Sequence, residues 1–416
     1  MQHSDINQNT QQHLLVIGYV WPEPNSSAAG SRMLQIIQAF QSKGWRVTFS
    51  SPAEISVHAC DLQTLNIQQQ SIELNCASFD EFVSELKPDA VMFDRFMMEE
   101  QFGWRVAKHC PSAVRILDME DVHSLRQARH QAIKQGIAIE QSNLHTDEAI
   151  REMASIFRCD LTLVISEFEV QLLQHHYRIP STQLLYLPFM VTNQAIVARP
   201  KRFDERQHFV SIGNFRHAPN WDAVLELKRL WPSIRRECPN AELHIYGAYP
   251  PKKATQLHNE AQGFLVKGWV EDALSTITNH RVLLAPLRFG AGLKGKLLDA
   301  MLTHTPSVTS PIGAEGMSTP SSWPGAVCHS DEQFVQQAIA LYNDNTIWSR
   351  AIDTVPQHLR PYEASHLVSE LCHRVADICA NLDSHRQQHF IGAMLMHHTL
   401  KSTQYMAQWI EAKNKH

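Results

Sequence analysis

The sequence has few of the features that would place it outside the cytoplasm. It holds only eight cysteines in 416 residues, and no two of them form a CxxC pair. They are scattered along the chain, at positions 60, 76, 110, 159, 238, 328, 372 and 379. This spacing predicts neither a disulfide framework nor a cysteine-based zinc site, and it is typical of reduced thiols in a cytoplasmic protein.

Long apolar runs and a strong charge of one sign are also missing. The first thirteen residues are polar, without the apolar core of a signal peptide, and no run approaches the length of a transmembrane helix. The formal net charge is −5, which argues against a general binder of nucleic acid or of anionic membranes. We therefore expect no nucleic-acid partner, at most peripheral membrane association, and a local positive cluster for any anionic ligand.

Metal-binding motifs are the third absence. The chain has 24 histidines, but HExxH does not occur. The adjacent pairs His175–His176 and His397–His398 would point around a helix and not to one face, so surface or capping roles are the commoner explanation. The sequence thus predicts no metal site.

What the sequence does contain is an alternation of short apolar runs with amphipathic helices, typical of parallel sheets covered on both faces. The first half predicts five strands, at Leu14–Tyr19, Arg46–Ser50, Ala90–Phe93, Ala113–Leu117 and Leu161–Ile165. A polar linker follows near 191–207. A second series then begins, with strands predicted at Phe209–Ile212, Glu242–Tyr246, Phe264–Lys267, Val282–Ala285 and Ser307–Ser310.

This organisation predicts an α/β protein of two Rossmann-like doubly wound domains that face each other across a cleft. We place the N-terminal domain at 1–195 and the C-terminal domain at 205–380. The remaining segment, 385–416, is predicted to be a helix that packs back on the N-terminal domain. Ligands of such proteins bind in the cleft, at the carboxyl ends of the strands.

The most informative stretch runs from Pro286 to Met301, at the end of a predicted strand. Glycines at 290 and 292 allow close approach of the backbone, and the following helix offers free N–H groups to a phosphate. Basic side chains at 288, 294 and 296 add positive charge. Lys296 and Asp299 are three residues apart and share a helix face. A diphosphate at the turn with a sugar hydroxyl near Asp299 fits this pattern.

The same residues allow a second interpretation. Residues 290–295 match the GxGxxG fingerprint of dinucleotide-binding proteins, and Glu315 follows about twenty residues later. However, the acid of the fingerprint should end the next strand, whereas the predicted strand ends at Ser310, before Glu315. In addition, the dinucleotide loop binds its ligand through backbone groups, whereas this turn has three basic side chains. A tight turn with solvated lysines is the purely structural alternative.

Two stretches resemble one known family. Residues 288–301 (RFGAGLKGKLLDAM) with 306–317 (PSVTSPIGAEGM) resemble the donor-site signature of group 1 glycosyltransferases, the retaining GT-B enzymes of glycosyltransferase family 4. Residues 211–224 (SIGNFRHAPNWDAV) are similar to the strand and helix that open that family's C-terminal domain. The resemblance covers about 205–320.

The resemblance implies transfer of a sugar from a nucleotide-diphosphate sugar to an acceptor, with retention of configuration. It implies that Arg288 and Lys296 hold the diphosphate with Lys294 in support, and that Asp299 replaces the glutamate that binds the ribose. The resemblance also implies donor binding by residues of the glycine-containing loops, by one backbone position and by one acid: Gly30, Gly268, Val270, Gly290, Gly292 and Glu315. The family often has a further glutamate eight positions before the ribose-binding one, where this chain has Ala291.

The N-terminal half offers the candidates for the acceptor side. Ser31 is a possible helix N-cap beside Gly30. Family resemblance points to His123 near the transferred sugar, with capping by Asp121 as the structural alternative. The other candidates follow predicted strand ends or open the first helix: Arg32, Arg95, Asp118, Asp121 and Arg126. The acceptor itself, whether glycan, lipid-linked or protein, is not readable.

Three functions therefore stand at this point: a metal-independent glycosyltransferase, a nucleotide-sugar epimerase or phosphorylase on the same scaffold, and a non-catalytic nucleotide-sugar binder. No cofactor is expected beyond the nucleotide sugar as donor substrate. For the C-terminal tail, apolar residues recur on one face, and Trp409 and Ile410 are predicted to be buried against the first domain. Binding of this helix to a membrane surface is the alternative.

Overall fold

The computed structural model describes residues 11–317 and 323–414. Each half of the chain forms one parallel sheet. The first sheet has seven strands in the order β3-β2-β1-β4-β5-β6-β7. Their bounds are β1 His13–Ile17, β2 Arg46–Ser51, β3 Gln68–Ser71, β4 Ala90–Asp94, β5 Val114–Asp118, β6 Leu161–Val164 and β7 Leu184–Tyr186.

Six helices belong to the first half of the chain. They are α1 Ala28–Ser42, α2 Ser78–Leu86, α3 Phe96–His109, α4 His123–Gln135, α5 Asp147–Arg158 and α6 Glu167–His175. The central strands are buried throughout, because helices cover both faces of the sheet and leave no face for polar alternation.

The second sheet has six strands in the order β10-β9-β8-β11-β12-β13. Their bounds are β8 Gln207–Ile212, β9 Leu243–Tyr246, β10 Phe264–Gly268, β11 His280–Ala285, β12 Ser307–Thr309 and β13 Gly325–Val327. The helices are α7 Ala218–Glu237, α8 Lys252–Thr255, α9 Ala273–Thr278, α10 Gly295–Leu302, α11 Pro311–Ala314, α12 Asp331–Asn343, α13 Asn345–Asp353 and α14 Val355–Leu359. The predicted pair of doubly wound domains is confirmed.

The chain returns to the N-terminal domain earlier than predicted. Helix α15 (Ala364–Ala380) was assigned to the C-terminal domain, 205–380, but its apolar face lies in the N-terminal core. That face consists of Leu367, Leu371, Val375 and Ile378. The crossing point is a backbone contact, since the N–H of Ala364 donates to the carbonyl of Val191 over 2.9 Å.

The last two helices, α16 (Leu382–Gln387) and α17 (Phe390–Asn414), remain on the N-terminal domain. Helix α17 lies against α3 and α5 of the N-terminal domain. The burial predicted for Trp409 is wrong, because its side chain is 60% exposed. Small residues make the contact instead: Ala407 is buried, and a Cβ at Gly392 would lie 2.2 Å from the carbonyl oxygen of Phe157. Among the described residues, no helix has the length and apolar character needed to cross a bilayer.

Candidate functional site in the interdomain cleft

The turn that leads from β11 into α10 inserts between the two domains. Ala291 packs in the apolar core of the N-terminal domain, and Gly292 has a φ of 62° and lies against Asp121. A Cβ at Gly295, the first residue of α10, would lie 2.6 Å from the Cβ of Ala28. The amino end of α10 therefore faces the amino end of α1, and only glycine allows this distance.

Lys296 is held at the carboxyl end of β8. Its Nζ donates to Oδ1 of Asn220 over 2.8 Å, and a Cβ on Gly213 would approach the same Nζ to 2.8 Å. Burial lowers the pKa of the Lys296 ammonium to about 8, although Asp299 acts in the opposite direction. The site thus combines an ammonium with the amino end of a helix, a combination that suits a phosphate.

Asp299 lies on the same face of α10 as Lys296. Burial raises the pKa of its carboxyl to about 7, and the neighbouring Lys296 only partly counteracts this. Within the part of the chain that the structure describes, the Asp299 carboxylate accepts no hydrogen bond. A half-buried acid with free acceptor capacity, one turn from the phosphate-type site, can accept hydroxyl groups.

Lys294 turns away from Lys296. It is buried, and its Nζ donates to the carbonyl of Gly292 over 2.7 Å. Burial lowers its pKa, opposed by the carboxylates of Glu315 and Glu169. The Glu169 carboxylate also accepts the Gly292 N–H over 2.8 Å. These contacts fix the shape of the turn, and they place Lys294 with the acids that hold the loop.

Arg288 is also separated from Lys296. Its guanidinium pairs with Asp222, over 2.9 Å from Nε, and lies 3.4 Å from Glu226. Asn220 and Asp222 are two residues apart on α7, so they point to opposite sides of that helix. Arg288 borders a separate interdomain cavity of about 1100 Å³. The structure therefore does not bring the two predicted diphosphate ligands together.

Glu315 joins the two domains. Arg129 of α4 donates to both of its carboxylate oxygens, over 2.7 and 2.8 Å, and also to the carbonyl of Gly290 over 2.8 Å. Because one guanidinium contacts both Gly290 and Glu315, it fixes the donor-side loop against the N-terminal domain.

The predicted backbone loop after β10 lies at the other end of the cleft. Gly268 has a φ of 83°, and its surroundings leave open space where a side chain would be. Val270 is half-buried beyond it. Between them, Trp269 donates its ring N–H to the carbonyl of Asn25 over 2.9 Å. This loop is thus connected to the turn that follows β1.

In the turn after β1, the residue that caps the amino end of α1 differs from the predicted one. Ser27, and not Ser31, is the N-cap of α1, and its hydroxyl accepts the N–H of Gly30 over 3.0 Å. Gly30 packs tightly on the loop, because a Cβ there would come within 2.5 Å of the Glu23 backbone. Gly30 therefore shapes the loop that faces α10.

Arg32 and Asp118 form a fully buried ion pair beneath this loop, with a distance of 3.0 Å between Nη2 and Oδ1. Arg32 also donates to the carbonyl of Pro188 over 3.2 Å. These two acceptor-side candidates lie under the cleft floor and present no surface to a ligand. Their position supports a structural role.

Around this pair, the ends of β4 and β5 present an acidic cluster, of which sequence analysis selected Asp118 but neither Asp94 nor Glu120. Asp94 and Asp118 are register partners, and each has one buried carboxylate oxygen without a hydrogen-bond partner. Burial and the carboxylates of Asp118 and Asp94 raise the pKa of Glu120 to about 8. Arg95 and Glu120 both have positive φ, at 72° and 65°, a strain that concentrates at functional sites.

His123, at the start of α4, is held by acids. Its Nδ1 lies 3.3 Å from Asp121 and 3.7 Å from Glu152, and its backbone N–H donates to Glu152 over 2.8 Å. Arg126 contacts Asp121 through two hydrogen bonds, over 2.7 and 3.2 Å. Burial opposes ionisation, but Arg126 and His123 outweigh it and hold the pKa of Asp121 below its usual range. His123, Asp121 and Arg126 therefore converge at the turn that contains Gly292.

Sequence reasoning missed three residues that build this site: Asn220, Arg129 and Glu169. Asn220 and Gly213 both lie in the quoted stretch 211–224, so a signal for them was present. Arg129 and Glu169 act across the cleft on residues far away in the chain, and no local pattern marks them.

Comparison with protein families gives a match over part of the chain. Residues 206–344, most of the C-terminal domain, match the family model described as glycosyl transferases group 1. No curated protein sequence matches the chain.

Solved structures are similar over most of the chain and show its fold. The sucrose-phosphate synthase of Thermosynechococcus elongatus is similar over 89% of this chain and 100% of its own, with 14% identity and a TM-score of 0.65. WaaG, a glycosyltransferase involved in lipopolysaccharide biosynthesis, matches over 86% of this chain and 98% of its own, with 13% identity and a TM-score of 0.62. Anabaena HepE in complex with UDP and glucose matches over 88% and 100%, with 9% identity and a TM-score of 0.66. The chain has the GT-B fold.

Proposed function

We propose that this protein is a glycosyltransferase that moves a sugar from a nucleotide-diphosphate sugar to an acceptor, with retention of configuration and without a catalytic metal. The observation that carries the proposal is the position of Lys296. Its ammonium lies beside Gly213 at the end of β8 and at the amino end of α10, inside the cleft. The group 1 match over 206–344 supports the same reaction class.

The chemistry requires stabilisation of a leaving group. Breaking the bond between the anomeric carbon and the diphosphate increases negative charge on the diphosphate oxygens. Lys296 and the amino end of α10 would face that charge, so they would stabilise the transition state more than the ground state. A metal ion is then not required for this step.

The donor nucleotide extends from α10 toward the β10 end of the cleft. Asp299 would accept ribose hydroxyls, and the backbone at Gly268 and Val270 would contact the base. HepE, which has the same fold, was solved with UDP and glucose. This supports a nucleotide sugar as the donor and leaves the sugar open.

The transferred sugar and the acceptor would meet between the α10 turn and the N-terminal domain. His123, Asp121 and Arg126 face that point, and Glu120 with Asp94 forms its acidic side. A neutral Glu120 carboxyl could donate a hydrogen bond to an acceptor hydroxyl. We assign acceptor recognition, by a glycan, lipid-linked or protein acceptor, to this wall of the cleft.

Donor binding is tested first by thermal shift with UDP-, GDP- and ADP-sugars, followed by release of nucleoside diphosphate with and without acceptor mixtures. A glycosyltransferase gives stabilisation by one donor and acceptor-dependent release. Release that needs only inorganic phosphate would indicate a phosphorylase, and binding without any turnover would indicate a non-catalytic binder. Absence of any nucleotide effect would overturn the proposal.

A further inference from the structure

A second polar cluster lies at the end of the C-terminal sheet that is opposite the cleft. His208 is the second residue of β8, Glu242 directly precedes β9, and His244 is the second residue of β9. These residues are at the amino ends of their strands, whereas the cleft is formed by the carboxyl ends. The proposed transfer reaction does not use them.

The ligand atoms of the three side chains lie close to one another. One ligand atom from each lies within 4.8 Å of the other two. Nε2 of His244 is 2.8 Å from Oε2 of Glu242, and Nε2 of His208 is 3.9 Å from the same oxygen. A tetrahedral ion with bonds of about 2.1 Å separates its ligand atoms by about 3.4 Å, between these two values.

Hydrogen bonding fixes the tautomer of His244. His280, buried at the start of β11, uses Nδ1 to donate to the carbonyl of Thr276 over 2.7 Å, so its Nε2 is an acceptor. His244 must then donate from Nδ1 to that Nε2 over 2.8 Å. A neutral His244 consequently has a lone pair on Nε2, which faces the Glu242 carboxylate. Two lone pairs 2.8 Å apart require a cation between them, either a proton or a metal ion.

His280 also orients the His244 ring, because the Thr276 carbonyl fixes the His280 tautomer and Nε2 of His280 accepts from Nδ1 of His244. Histidines that bind a metal through one ring nitrogen usually donate from the other ring nitrogen to a fixed acceptor. The hydrogen bond from His244 to His280 has this arrangement.

The backbone conformation of His208 is also unusual. It has a φ of 62° within a strand, a left-handed conformation that costs free energy and re-aims the side chain. Its Nδ1 accepts the backbone N–H of Glu242 over 3.1 Å, which leaves the proton on Nε2. Coordination by His208 therefore requires its ring to turn and give up this hydrogen bond.

We propose that His208, Glu242 and His244 bind a divalent transition-metal ion of the zinc class. Two imidazoles and one carboxylate are a set that zinc accepts, and the half-exposed position leaves the fourth place to water. The ion would connect the starts of β8 and β9, with His280 as a positioning residue. It would stabilise the C-terminal domain and take no part in sugar transfer.

The test uses the full chain without a histidine tag, stripped of metal by a chelator. We expect titration with Zn²⁺ to show one site per chain and to raise Tm, and Co²⁺ to give the visible absorption of a tetrahedral site. Glu242→Gln and His244→Ala should each weaken Zn²⁺ binding at least a hundredfold. His208→Ala should weaken it only about tenfold, because its ring must first give up a hydrogen bond.

His366→Ala is the matched control, since His366 and Glu370 form an exposed pair at 3.8 Å on α15. Its Zn²⁺ affinity should equal that of the unaltered chain. Circular dichroism of the metal-free variants separates loss of binding from loss of folding, and Glu242→Gln keeps the shape of the side chain. No stoichiometric binding, or equal affinity in Glu242→Gln, His244→Ala and His366→Ala, would overturn the proposal.

Discussion

At the scale of single residues, Lys296 and Arg288 illustrate how packing separates similar side chains. Both are basic, and both lie within the motif that predicted the donor site. In the fold, Lys296 lies at the amino end of α10 on Asn220, whereas Arg288 is 44% exposed on its pair with Asp222. The sequence could predict that a diphosphate binds near this turn. The sequence could not predict which of the two basic side chains faces the diphosphate. That choice depends on which side of α7 each side chain contacts.

The two variants should therefore differ. Lys296→Ala is expected to lower kcat/KM by an amount that corresponds to about 2–4 kcal/mol of activation free energy, the range for a lost transition-state charge contact. Arg288→Ala should cost less, because its charge is already neutralised by Asp222 and is partly solvated. Steady-state kinetics with the identified donor, at constant ionic strength, measures both. Equal losses would mean that Arg288 leaves Asp222 and joins the diphosphate when the donor binds.

The ionisation of Lys296 gives a pH dependence. Its pKa is lowered to about 8, so the ammonium is present below that pH and is lost as pH rises through it. We expect kcat/KM to fall above pH 8, and kcat to fall at a higher pH, since the bound diphosphate favours the charged form. In Lys296→Arg, whose side chain stays charged, the alkaline fall should disappear even if the rate is lower. The same fall in this variant would assign the titration to another group.

At the scale of elements, the buried central strands were predicted well and the edges poorly. Each of the ten predicted strands occurs, within two residues at either end. The missed strands are β3, β7 and β13, all at or next to a sheet edge. Strand β3 reads QQQS, without apolar alternation, and β7 and β13 have three residues each. Such segments become strands through pairing with a neighbour, which a local pattern does not record.

The start of α10 provides the test at this scale. In an isolated helix Gly295→Ala would be favourable, but here the new Cβ would lie 2.6 Å from Ala28 across the cleft. We expect at least tenfold lower kcat/KM with little change in Tm, because the domains must separate slightly while each keeps its core. Gly290→Ala is the matched control, since a Cβ there would lie 3.5 Å from its nearest neighbour, Cε of Lys294, an ordinary van der Waals distance.

A second substitution checks the cause of that effect. If the clash with Ala28 is responsible, the double variant Gly295→Ala with Ala28→Gly should recover most of the lost activity. Failure to recover would mean that glycine at 295 is needed for backbone contact with the donor and not for domain contact. Donor titration of each variant distinguishes these outcomes further, since a backbone contact affects donor affinity directly.

At the scale of the whole molecule, several separate contacts hold the cleft in its observed form. Arg129 with Glu315 and Tyr249 with Glu23 connect the domains at different points, the latter over 2.8 Å. None of these pairs is local in sequence, which explains why the two domains and their cleft could be predicted while the residues that connect them could not. Polar contacts of this kind can break and re-form, so the geometry is compatible with opening and closing around a donor.

The C-terminal crossover is different, because it is apolar and part of a core. Leu371 of α15 has no exposed surface within the N-terminal core, whereas Met394 of α17 is 46% exposed. Leu371→Ala should therefore destabilise the protein by about 2–5 kcal/mol, the range for a buried leucine. Met394→Ala, the control, should stay within about 0.5 kcal/mol of the unaltered chain. Denaturant unfolding followed by fluorescence and circular dichroism measures both.

Removal of the tail completes this prediction. Truncation after Asn381 keeps α15 but removes Arg386, which donates to both carboxylate oxygens of the buried Asp160 over 2.8 Å. We expect a folded protein of reduced stability, because Asp160 loses its closest guanidinium and retains Arg115 at 3.7 Å. Binding to liposomes should not change. If the truncated chain is as stable as the full chain but loses liposome binding, the exposed apolar residues of α17 serve a membrane surface, and α15 alone makes the structural crossover.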